Sequence, residues 1–310
     1  MKLDLPDVYL IRPEVRQGLS NGQPVVALES AVITHGLPRP ANLELALSME
    51  AIVRGQGAIP ATIAFIDGKI VIGASESELQ RLAGENHPIK INPRNIGIAL
   101  NSGACGGTTV AATLMAARAV GIKVFATGGI GGVHRGNAFD ISADLPALSS
   151  NPLVVVCAGA KAILDIPATL ENLETRGVPV LGFQTDEFPG FYSPGSGFKV
   201  DYRIESALEA FIIASAHWHA GCRSAVLVCN PIPAEYGVNQ QKIDDAIAQA
   251  VESANRKGIT GAALSPYLLE ELGKITAGKS LQANLVLLKN NALLAAQIAR
   301  FFAKPGQISF

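Results

Sequence analysis

The run LVVVCAGA, from Leu153 to Ala160, decides the fold class, because a short uninterrupted apolar run predicts a buried strand of an α/β core. Lys161 follows it directly. We expect a lysine at the end of a buried strand to be partly desolvated and therefore to present a neutral, nucleophilic amine. Such an amine can form a Schiff base with a sugar aldehyde. The spacing alone is equally compatible with an ion pair between Lys161 and Asp165, one helical turn further on.

Short apolar runs of this kind alternate with longer helical patterns along the chain. Further strands are predicted in PVVALES, ATIAFID, KVFATGG, PVLGFQT and SAVLVCN. Helices are predicted over about 42–56, 108–120, 163–176 and 206–220, with two more at the C-terminal end. The segment IAFIDGKIVIG predicts a β-hairpin, because Asp67 and Gly68 form a tight-turn pair between two alternating apolar runs. The sequence therefore predicts a layered α/β fold, with a mainly parallel mixed sheet and one antiparallel hairpin, as a single domain over residues 1–310.

Composition and charge limit the kinds of ligand. The chain has 310 residues, of which 48% are hydrophobic and 16% charged, and its formal net charge is -1. Lysine and arginine are scattered rather than gathered in a stripe, so the sequence predicts no nucleic-acid partner and favours a small anionic ligand. No targeting signal is recognisable, and no segment reaches about 18 uninterrupted apolar residues, which predicts a cytoplasmic protein without a membrane partner. The four cysteines lack the spacing of a zinc site.

Two glycine-rich segments are candidate anion sites. ATGGIGGVHRG, residues 126–136, follows a predicted strand, and closely placed glycines let backbone N–H groups approach an anion. It is not a dinucleotide fingerprint, because His134 stands where the third glycine would fall. His134 and Arg135 suit a phosphate, although a purely structural turn is the alternative. CGGTTVAAT, residues 105–113, begins a predicted helix, where Thr108 or Thr109 is either an N-cap or part of an anion site.

Three carboxylates stand at positions where chemistry is plausible. Asp140 and Asp144 flank Ser142 in FDISAD, and their oxygens suit Mg²⁺ or Mn²⁺ held by few protein groups and several waters. The alternative is that both aspartates are solvated or capping residues. Glu29 ends the strand PVVALES, where ligand clefts of α/β sheets lie, and it is either a general acid or base or an ordinary ion-pairing residue.

Taken together, several long strings resemble the pseudouridine-5'-phosphate glycosidase family over nearly the whole chain. They include VALESAVITHGLPRPANLE, GAIPATIAFIDGKIVIG, GGTTVAATL, VFATGGIGGVHRG, FDISADL, VCAGAKAILDI, TLENLETRGVPV, NPIPAE and LQANLVLLKNNALLAAQIA. The resemblance implies an α/β/α core and a homotrimer. It also implies cleavage of the C-glycosidic bond of pseudouridine 5'-phosphate, giving uracil and ribose 5-phosphate, with a divalent metal that is Mn²⁺ or another ion such as Mg²⁺.

The resemblance implies roles for individual residues of this chain. Glu29 in ALES matches the family's proton donor, Lys161 in CAGAK matches its nucleophile, and Asp140 in FDISAD matches a metal ligand reached partly through waters. The positions that match substrate-binding groups are Lys90, Thr109, Val110, His134, Ser142, Ala143, Asp144 and Asn284. The segment HRGNAFD is shorter than the family pattern, which predicts a shortened metal loop.

These residue types suit the cleavage of a carbon–carbon bond. Carbon is a poor leaving group, so the reaction needs an acid to protonate uracil at its carbon and a covalent partner for the anomeric carbon of the sugar. Two other hypotheses remain at this stage. The first is a Schiff-base lyase or aldolase that acts on another sugar phosphate, and the second is a noncatalytic sugar-phosphate sensor that keeps the pocket.

Overall fold

The fold rests on a mostly parallel sheet of eleven strands with a small three-stranded sheet beside it. The computed structural model describes residues 7–259 and 264–303. The strands are β1 (Tyr9–Ile11), β2 (Val25–Leu28), β3 (Ile59–Ile66), β4 (Lys69–Ile72), β5 (Ile89–Ile91), β6 (Gly106–Thr108), β7 (Val124–Ala126), β8 (Val133–His134), β9 (Asn137–Ile141), β10 (Val154–Cys157), β11 (Leu164–Asp165), β12 (Val180–Phe183), β13 (Tyr202–Ile204) and β14 (Val226–Cys229). The helices are α1 (Pro13–Ser20), α2 (Ala41–Gly55), α3 (Glu76–Gly84), α4 (Ile96–Asn101), α5 (Val110–Val120), α6 (Asp144–Leu148), α7 (Ile166–Thr175), α8 (Ala207–His219), α9 (Gln240–Arg256), α10 (Leu264–Ile275) and α11 (Lys279–Phe302).

The strand order confirms the predicted sheet. The main path runs β1-β4-β3-β2-β7-β10-β14-β12-β13, and β6 joins β3 to β5. The pairs β3–β4 and β3–β6 are antiparallel, whereas the central pairs from β2 to β12 are parallel. The turn between β3 and β4 holds Asp67 at φ 51° and Gly68 at φ 71°, the two positive values that a tight hairpin turn requires.

Helices cover both faces of the central strands. Every residue of β2, β10 and β14 is buried, which is why these strands read as continuous apolar runs rather than alternating patterns. The helices α2, α8 and α11 pack together on the sheet, and α5 and α6 form a separate packed pair. The structure is therefore the mixed, layered α/β fold that the sequence predicts.

The structure also corrects several predicted boundaries. Helix α7 begins at Ile166 rather than near residue 163, because the carboxylate of Asp165 accepts the N–H of Ala168 at 3.0 Å and caps the helix there. The C-terminal part holds three helices, α9, α10 and α11, where two were predicted. The short elements β1, α1 and α3 were not predicted. Residues 1–6, 260–263 and 304–310 of the predicted domain lie outside the described residues.

Helix α11 is long and apolar, yet it is a core helix. Among the described helices it alone is long and apolar enough to cross a membrane, judged by length and composition. It packs against α2, β7 and β10, and it buries polar Asn284 and Asn291 along with its apolar residues. Asn291 is fully buried and donates to the backbone oxygen of Thr127 at 2.8 Å, so the helix is fitted to the sheet rather than to lipid.

Candidate active site

The ends of three neighbouring strands open into one cavity. The strands β2, β7 and β10 are adjacent and parallel, so the residues that follow them meet at one edge of the sheet, where α/β folds bind ligands. The cavity measures about 590 Å³ including its mouth. It is lined by Glu29, Ala31, Val32, His35, Gly36, Lys90, Gly128, Gly129, Lys161, Phe191, Leu269, Asn284 and Leu288.

Glu29 lies at the end of β2 and is almost completely buried, with 8% exposure. The next residue, Ser30, fixes this strand end: its hydroxyl donates to the carbonyl of Ile63 at 2.6 Å and accepts the N–H of Thr108 at 3.0 Å. The hydroxyl of Thr127 donates to the Glu29 carboxylate. Burial raises the pKa of Glu29, and the nearby Lys161 charge and the Thr127 hydrogen bond only partly oppose it. Glu29 is therefore suited to carry a proton.

Lys161 reaches the cavity because β7 and β10 stay paired beyond their ends. Ala158 donates to the carbonyl of Gly128 at 2.8 Å, Ile130 donates to Gly159 at 3.0 Å, and Lys161 donates back to Ile130 at 3.0 Å. This irregular ladder fixes the backbone of a half-buried lysine that lines the cavity. The alternative ion pair with Asp165 does not occur among the contacts of the described residues, since the Asp165 carboxylate caps α7.

Lys90 enters the same cavity from β5. It is half-buried, and burial lowers its pKa. The positive charge of Lys161 lowers the pKa of Lys90 further, while Asp144 and Glu29 act in the opposite direction. Two lysines and one glutamate thus lie within electrostatic reach of one another, an arrangement that favours an anionic ligand.

His35 also lines the cavity, and no sequence pattern predicted it. It lies in a π-helical turn, Val32–Gly36, a conformation that is frequent at functional sites. Its Nδ1 is 2.6 Å from the hydroxyl of Thr34, and burial lowers its pKa, with the charge of Lys90 acting in the same direction. The signal available in the sequence was the imidazole six residues after Glu29 in ESAVITH.

Asn284 completes the polar lining, and apolar side chains form the rest. Asn284 projects from α11, is 8% exposed, and lines the same cavity as Glu29, Lys90 and Lys161. The apolar part of the wall comes from Phe191, Leu269 and Leu288 together with the backbone of the glycine loop.

Asp144, the second aspartate of FDISAD, forms a cluster with two backbone groups. We call this cluster the Asp144 junction: the Asp144 carboxylate with the N–H groups of Ala111 and Gly131. Asp144 is buried, and its two oxygens accept these N–H groups at 2.9 and 2.8 Å. A side chain at Gly131 would approach the Ser142 hydroxyl to 2.2 Å. One carboxylate of the protein itself, Asp144, therefore binds N–H groups of both predicted anion sites, the start of α5 and the glycine loop.

The remaining predicted residues surround this junction. Thr109 is the N-cap of α5 and accepts the N–H of Ala112 at 3.4 Å, as its capping interpretation predicted. Val110 is buried in the first turn of that helix. Ser142 accepts the N–H of Asp144 at 3.2 Å, and Ala143 is exposed at the start of α6.

His134 and Arg135 do not lie in the cavity wall. His134 is in β8 and pairs with Leu164 of β11. The guanidinium of Arg135 donates to the carbonyls of Leu164 and Ala162 at 3.1 and 3.2 Å and pairs with Asp244 at 2.9 Å. Protein acceptors therefore hold Nε and Nη2 of Arg135 outside the cavity wall, and its contact with a phosphate stays a prediction.

Asp140 lies apart from Asp144. It belongs to β9, whose five residues are all exposed. Within residues 7–259 and 264–303, no group of three His, Cys, Asp or Glu side chains could hold a metal ion. Both oxygens of Asp144 accept backbone hydrogen bonds, whereas Asp140 is exposed, so metal binding by the aspartates of FDISAD stays a prediction.

Known proteins resemble this chain over nearly its whole length. The family model described as indigoidine synthase A like protein matches residues 14–301. A pseudouridine-5'-phosphate glycosidase of Caldanaerobacter subterraneus subsp. tengcongensis is 52% identical over 288 residues, covering 92% of this chain and 94% of the relative. One from Sorangium cellulosum is 50% identical over 307 residues, covering 98% and 96%.

Two solved structures share the fold closely. A prealnumycin C-glycosynthase in complex with ribulose 5-phosphate superposes with a TM-score of 0.88 at 38% identity, covering 96% of this chain and 97% of its own. An indigoidine synthase A-like protein from Thermotoga maritima gives the same TM-score and identity, covering 96% and 98%. The chain therefore belongs to the indigoidine synthase A-like family of pseudouridine-5'-phosphate glycosidases.

Proposed function

We propose that the protein is a pseudouridine-5'-phosphate glycosidase that works through a lysine imine of the ring-opened sugar. The observation that carries this proposal is the meeting of Glu29 and Lys161 in one cavity at the ends of β2 and β10. The relatives named for this activity are about half identical to the chain over nearly its full length. The related C-glycosynthase holds a ribulose 5-phosphate. A sugar phosphate with a C-linked base is therefore the substrate class that we assign.

Lys161 acts first, as the nucleophile. Its amine adds to the anomeric carbon while the ring carbon–oxygen bond breaks, and the ring oxygen keeps the electron pair and takes up a proton. When the bond to the base later breaks, the nitrogen lone pair forms a double bond to the same carbon, giving an imine. Water hydrolyses the imine, releases ribose 5-phosphate and restores the amine.

Glu29 supplies the proton that makes carbon a leaving group. Its carboxyl group donates a proton to the base carbon that carries the sugar, and the electron pair of the broken carbon–carbon bond returns to the uracil ring. Because burial raises the pKa of Glu29, the protonated form persists to higher pH than for an ordinary glutamate. The Thr127 hydroxyl orients the carboxyl group through its hydrogen bond.

Lys90 and Asn284 position the substrate. Lys90 contributes a cation and Asn284 an amide to the same cavity, which suits the phosphate end of the sugar. Anchoring this remote end uses binding energy to hold the anomeric carbon against Lys161. A further set of residues, outside the cavity wall, is also proposed to contact the substrate. These residues are Thr109, Val110, His134, Ser142, Ala143 and Asp144.

A divalent metal, Mn²⁺ or Mg²⁺, is the proposed cofactor. Asp140 offers one exposed carboxylate, which suits an ion that keeps most of its waters and takes few protein ligands. Such an ion would supply positive charge that orients and polarises nearby groups. Asp140 is the residue that would hold the ion, and ordered water molecules would supply the other ligands.

We further propose a homotrimer located in the cytoplasm. The exposed strand β9 supports a contact between subunits, because Phe139 is 96% exposed and Ile141 is 38% exposed on it. Exposed apolar side chains that lie close together are common at protein–protein contacts.

The proposed function is tested by the reverse reaction. Uracil and ribose 5-phosphate are mixed with the protein and Mn²⁺, and pseudouridine 5'-phosphate is followed by its ultraviolet absorbance, with and without a chelator. Product that depends on metal supports both the activity and the cofactor, and product that resists the chelator supports the activity alone. Absence of product in both conditions would contradict the proposal and favour a lyase for another sugar phosphate or a sensor.

A further inference from the structure

Phe191 stands out in the cavity wall because its backbone is strained. Its φ is 68°, a value that is uncommon for a bulky side chain. Tyr192 donates its N–H to the carbonyl of Gly190 at 2.9 Å, which closes a three-residue turn centred on Phe191. With a positive φ at its centre this is the rare and strained form of the γ-turn. Strain of this kind persists where the surrounding structure holds it, and it concentrates at functional sites.

Several contacts hold the strained turn in place. Gly190 donates to the carbonyl of Ser193 at 3.1 Å, and Val238 donates to the carbonyl of Tyr192 at 2.7 Å. The hydroxyl of Ser193 also contacts the side chain of Gln240. The turn is therefore tied to the segment that leads into α9, and the position of its central side chain is fixed.

The turn packs on bare backbone just after the ends of β7 and β10. An added Cβ at Gly129, two residues after Thr127, would lie 2.6 Å from Cε2 of Phe191. An added Cβ at Gly159, two residues before Lys161, would lie 2.4 Å from the carbonyl of Pro189. No side chain fits between the turn and these strand ends. The aromatic ring is therefore held at a fixed place relative to the groups that position Glu29 and Lys161.

We infer that Phe191 determines specificity for the leaving group, by contacting the planar face or edge of the pyrimidine base. This inference rests on the proposed function. The ring joins Leu269 and Leu288 in the apolar part of the wall, whereas the charged groups of the cavity suit the sugar phosphate. A planar base placed against an aromatic ring is stabilised without hydrogen bonds to its edges.

The test compares two phenylalanines of the same loop. Phe188 is also buried, with its ring near Gly159, but it does not line the cavity. Phe191→Leu and Phe188→Leu are assayed in the synthesis direction, with KM measured separately for uracil and for ribose 5-phosphate. Loss of a base–aromatic contact raises KM for uracil about tenfold or more in Phe191→Leu. KM for ribose 5-phosphate stays within about twofold in both variants.

A second readout separates base recognition from sugar chemistry. Borohydride trapping with ribose 5-phosphate alone needs no base, so the yield on Lys161 stays near the unaltered protein's in Phe191→Leu. Thermal unfolding verifies that each variant is folded. Phe191→Met, whose flexible side chain fills irregular space, replaces the leucine variant if that one does not fold, and the same rise in KM for uracil is expected.

The inference is overturned if a folded Phe191 variant keeps its KM for uracil, or if both KM values rise together. An equal rise of KM for uracil in Phe188→Leu would also overturn it, because the effect would then come from the loop as a whole. Failure of the unaltered protein to form pseudouridine 5'-phosphate is a different result. It would contradict the proposed function and remove the basis of the inference with it.

Discussion

The cavity and the Asp144 junction both bring a buried carboxylate next to glycine-rich backbone, but they use its charge in opposite ways. At the junction, both oxygens of Asp144 accept backbone N–H groups, from Ala111 and Gly131. In the cavity, Glu29 receives one hydroxyl hydrogen bond from Thr127, and burial raises its pKa. A carboxylate whose hydrogen bonds are complete stabilises the fold, whereas an incompletely paired one beside an open space is available for proton transfer.

The largest expected effect comes from Lys161→Ala in the cavity. Removing the nucleophile lowers kcat by roughly ten-thousandfold or more, while binding that depends on the phosphate stays measurable because Lys90 and Asn284 remain. Lys199→Ala, which removes an exposed lysine outside the cavity, is the matched control and leaves kcat unchanged. Near-normal turnover in folded Lys161→Ala would contradict the imine mechanism.

Glu29→Gln tests the role of the cavity carboxylate as a proton donor. It keeps the shape of the side chain and removes the proton, so we expect kcat to fall about a hundredfold to ten-thousandfold with little change in stability. Glu50→Gln is the matched control, because Glu50 also accepts a threonine hydroxyl, from Thr62 at 2.5 Å, and burial also raises its pKa. Glu50 does not line the cavity, so its variant retains full activity. If Glu29→Gln unfolds the protein instead, Glu29 is structural.

The pH dependence of cleavage follows from the raised pKa of Glu29. The reaction uses the protonated carboxyl group, so kcat/KM for cleavage falls as pH increases through that raised value. Because the shift is upward, this loss occurs at higher pH than for a solvent-exposed glutamate. Profiles of kcat/KM against pH for the unaltered protein and Glu29→Gln check this, since the variant is expected to lack the decline at high pH, here called the descending limb. A descending limb that persists unchanged in the variant would assign it to another group.

The junction is expected to respond through stability. In Asp144→Asn one side-chain oxygen still accepts an N–H, but the amide nitrogen faces the other N–H, so unfolding free energy falls by about 2–3 kcal/mol. Asp140→Asn, on the exposed strand β9, changes it by about 0.5 kcal/mol or less. Urea unfolding measures both. Equal stability of the two variants would show that the junction does not hold α5 against the glycine loop.

The smallest effect is expected at Thr109. Thr109→Ala removes the N-cap of α5 and lowers unfolding free energy by about 1 kcal/mol, with the same urea titration as the measurement. A large rise in KM for the sugar phosphate without loss of stability would show instead that Thr109 serves the substrate more than the helix.

The sequence was sufficient to predict the parallel core and the placement of Glu29 and Lys161 at strand ends. Apolar runs mark buried strands, and parallel strands end at one edge of the sheet, so the residues after β2 and β10 are expected at the same edge. The helix starts at Thr109 and Ser206 likewise carry recognisable capping residues. These features depend on short stretches of sequence and on one simple rule of topology.

The rest depends on contacts between distant segments or on unusual backbone. Asp144 fills the two predicted anion sites from positions 13 and 33 residues away, and spacing gives no sign of that. His35 reaches the cavity from a π-helical turn, and Phe191 from a turn with positive φ. Neither conformation follows from residue type or periodicity. The glycine pattern predicts an N–H group that binds an anion or a purely structural turn, and at Gly131 the group bound is a carboxylate of the protein.

The most direct test of the account is to identify the lysine that binds the sugar. The protein is incubated with ribose 5-phosphate, reduced with borohydride and digested, and the modified peptide is sequenced by mass spectrometry. The account predicts an adduct on Lys161, absent from Lys161→Ala. An adduct on Lys90 instead, or no adduct in a protein that forms pseudouridine 5'-phosphate, would contradict it.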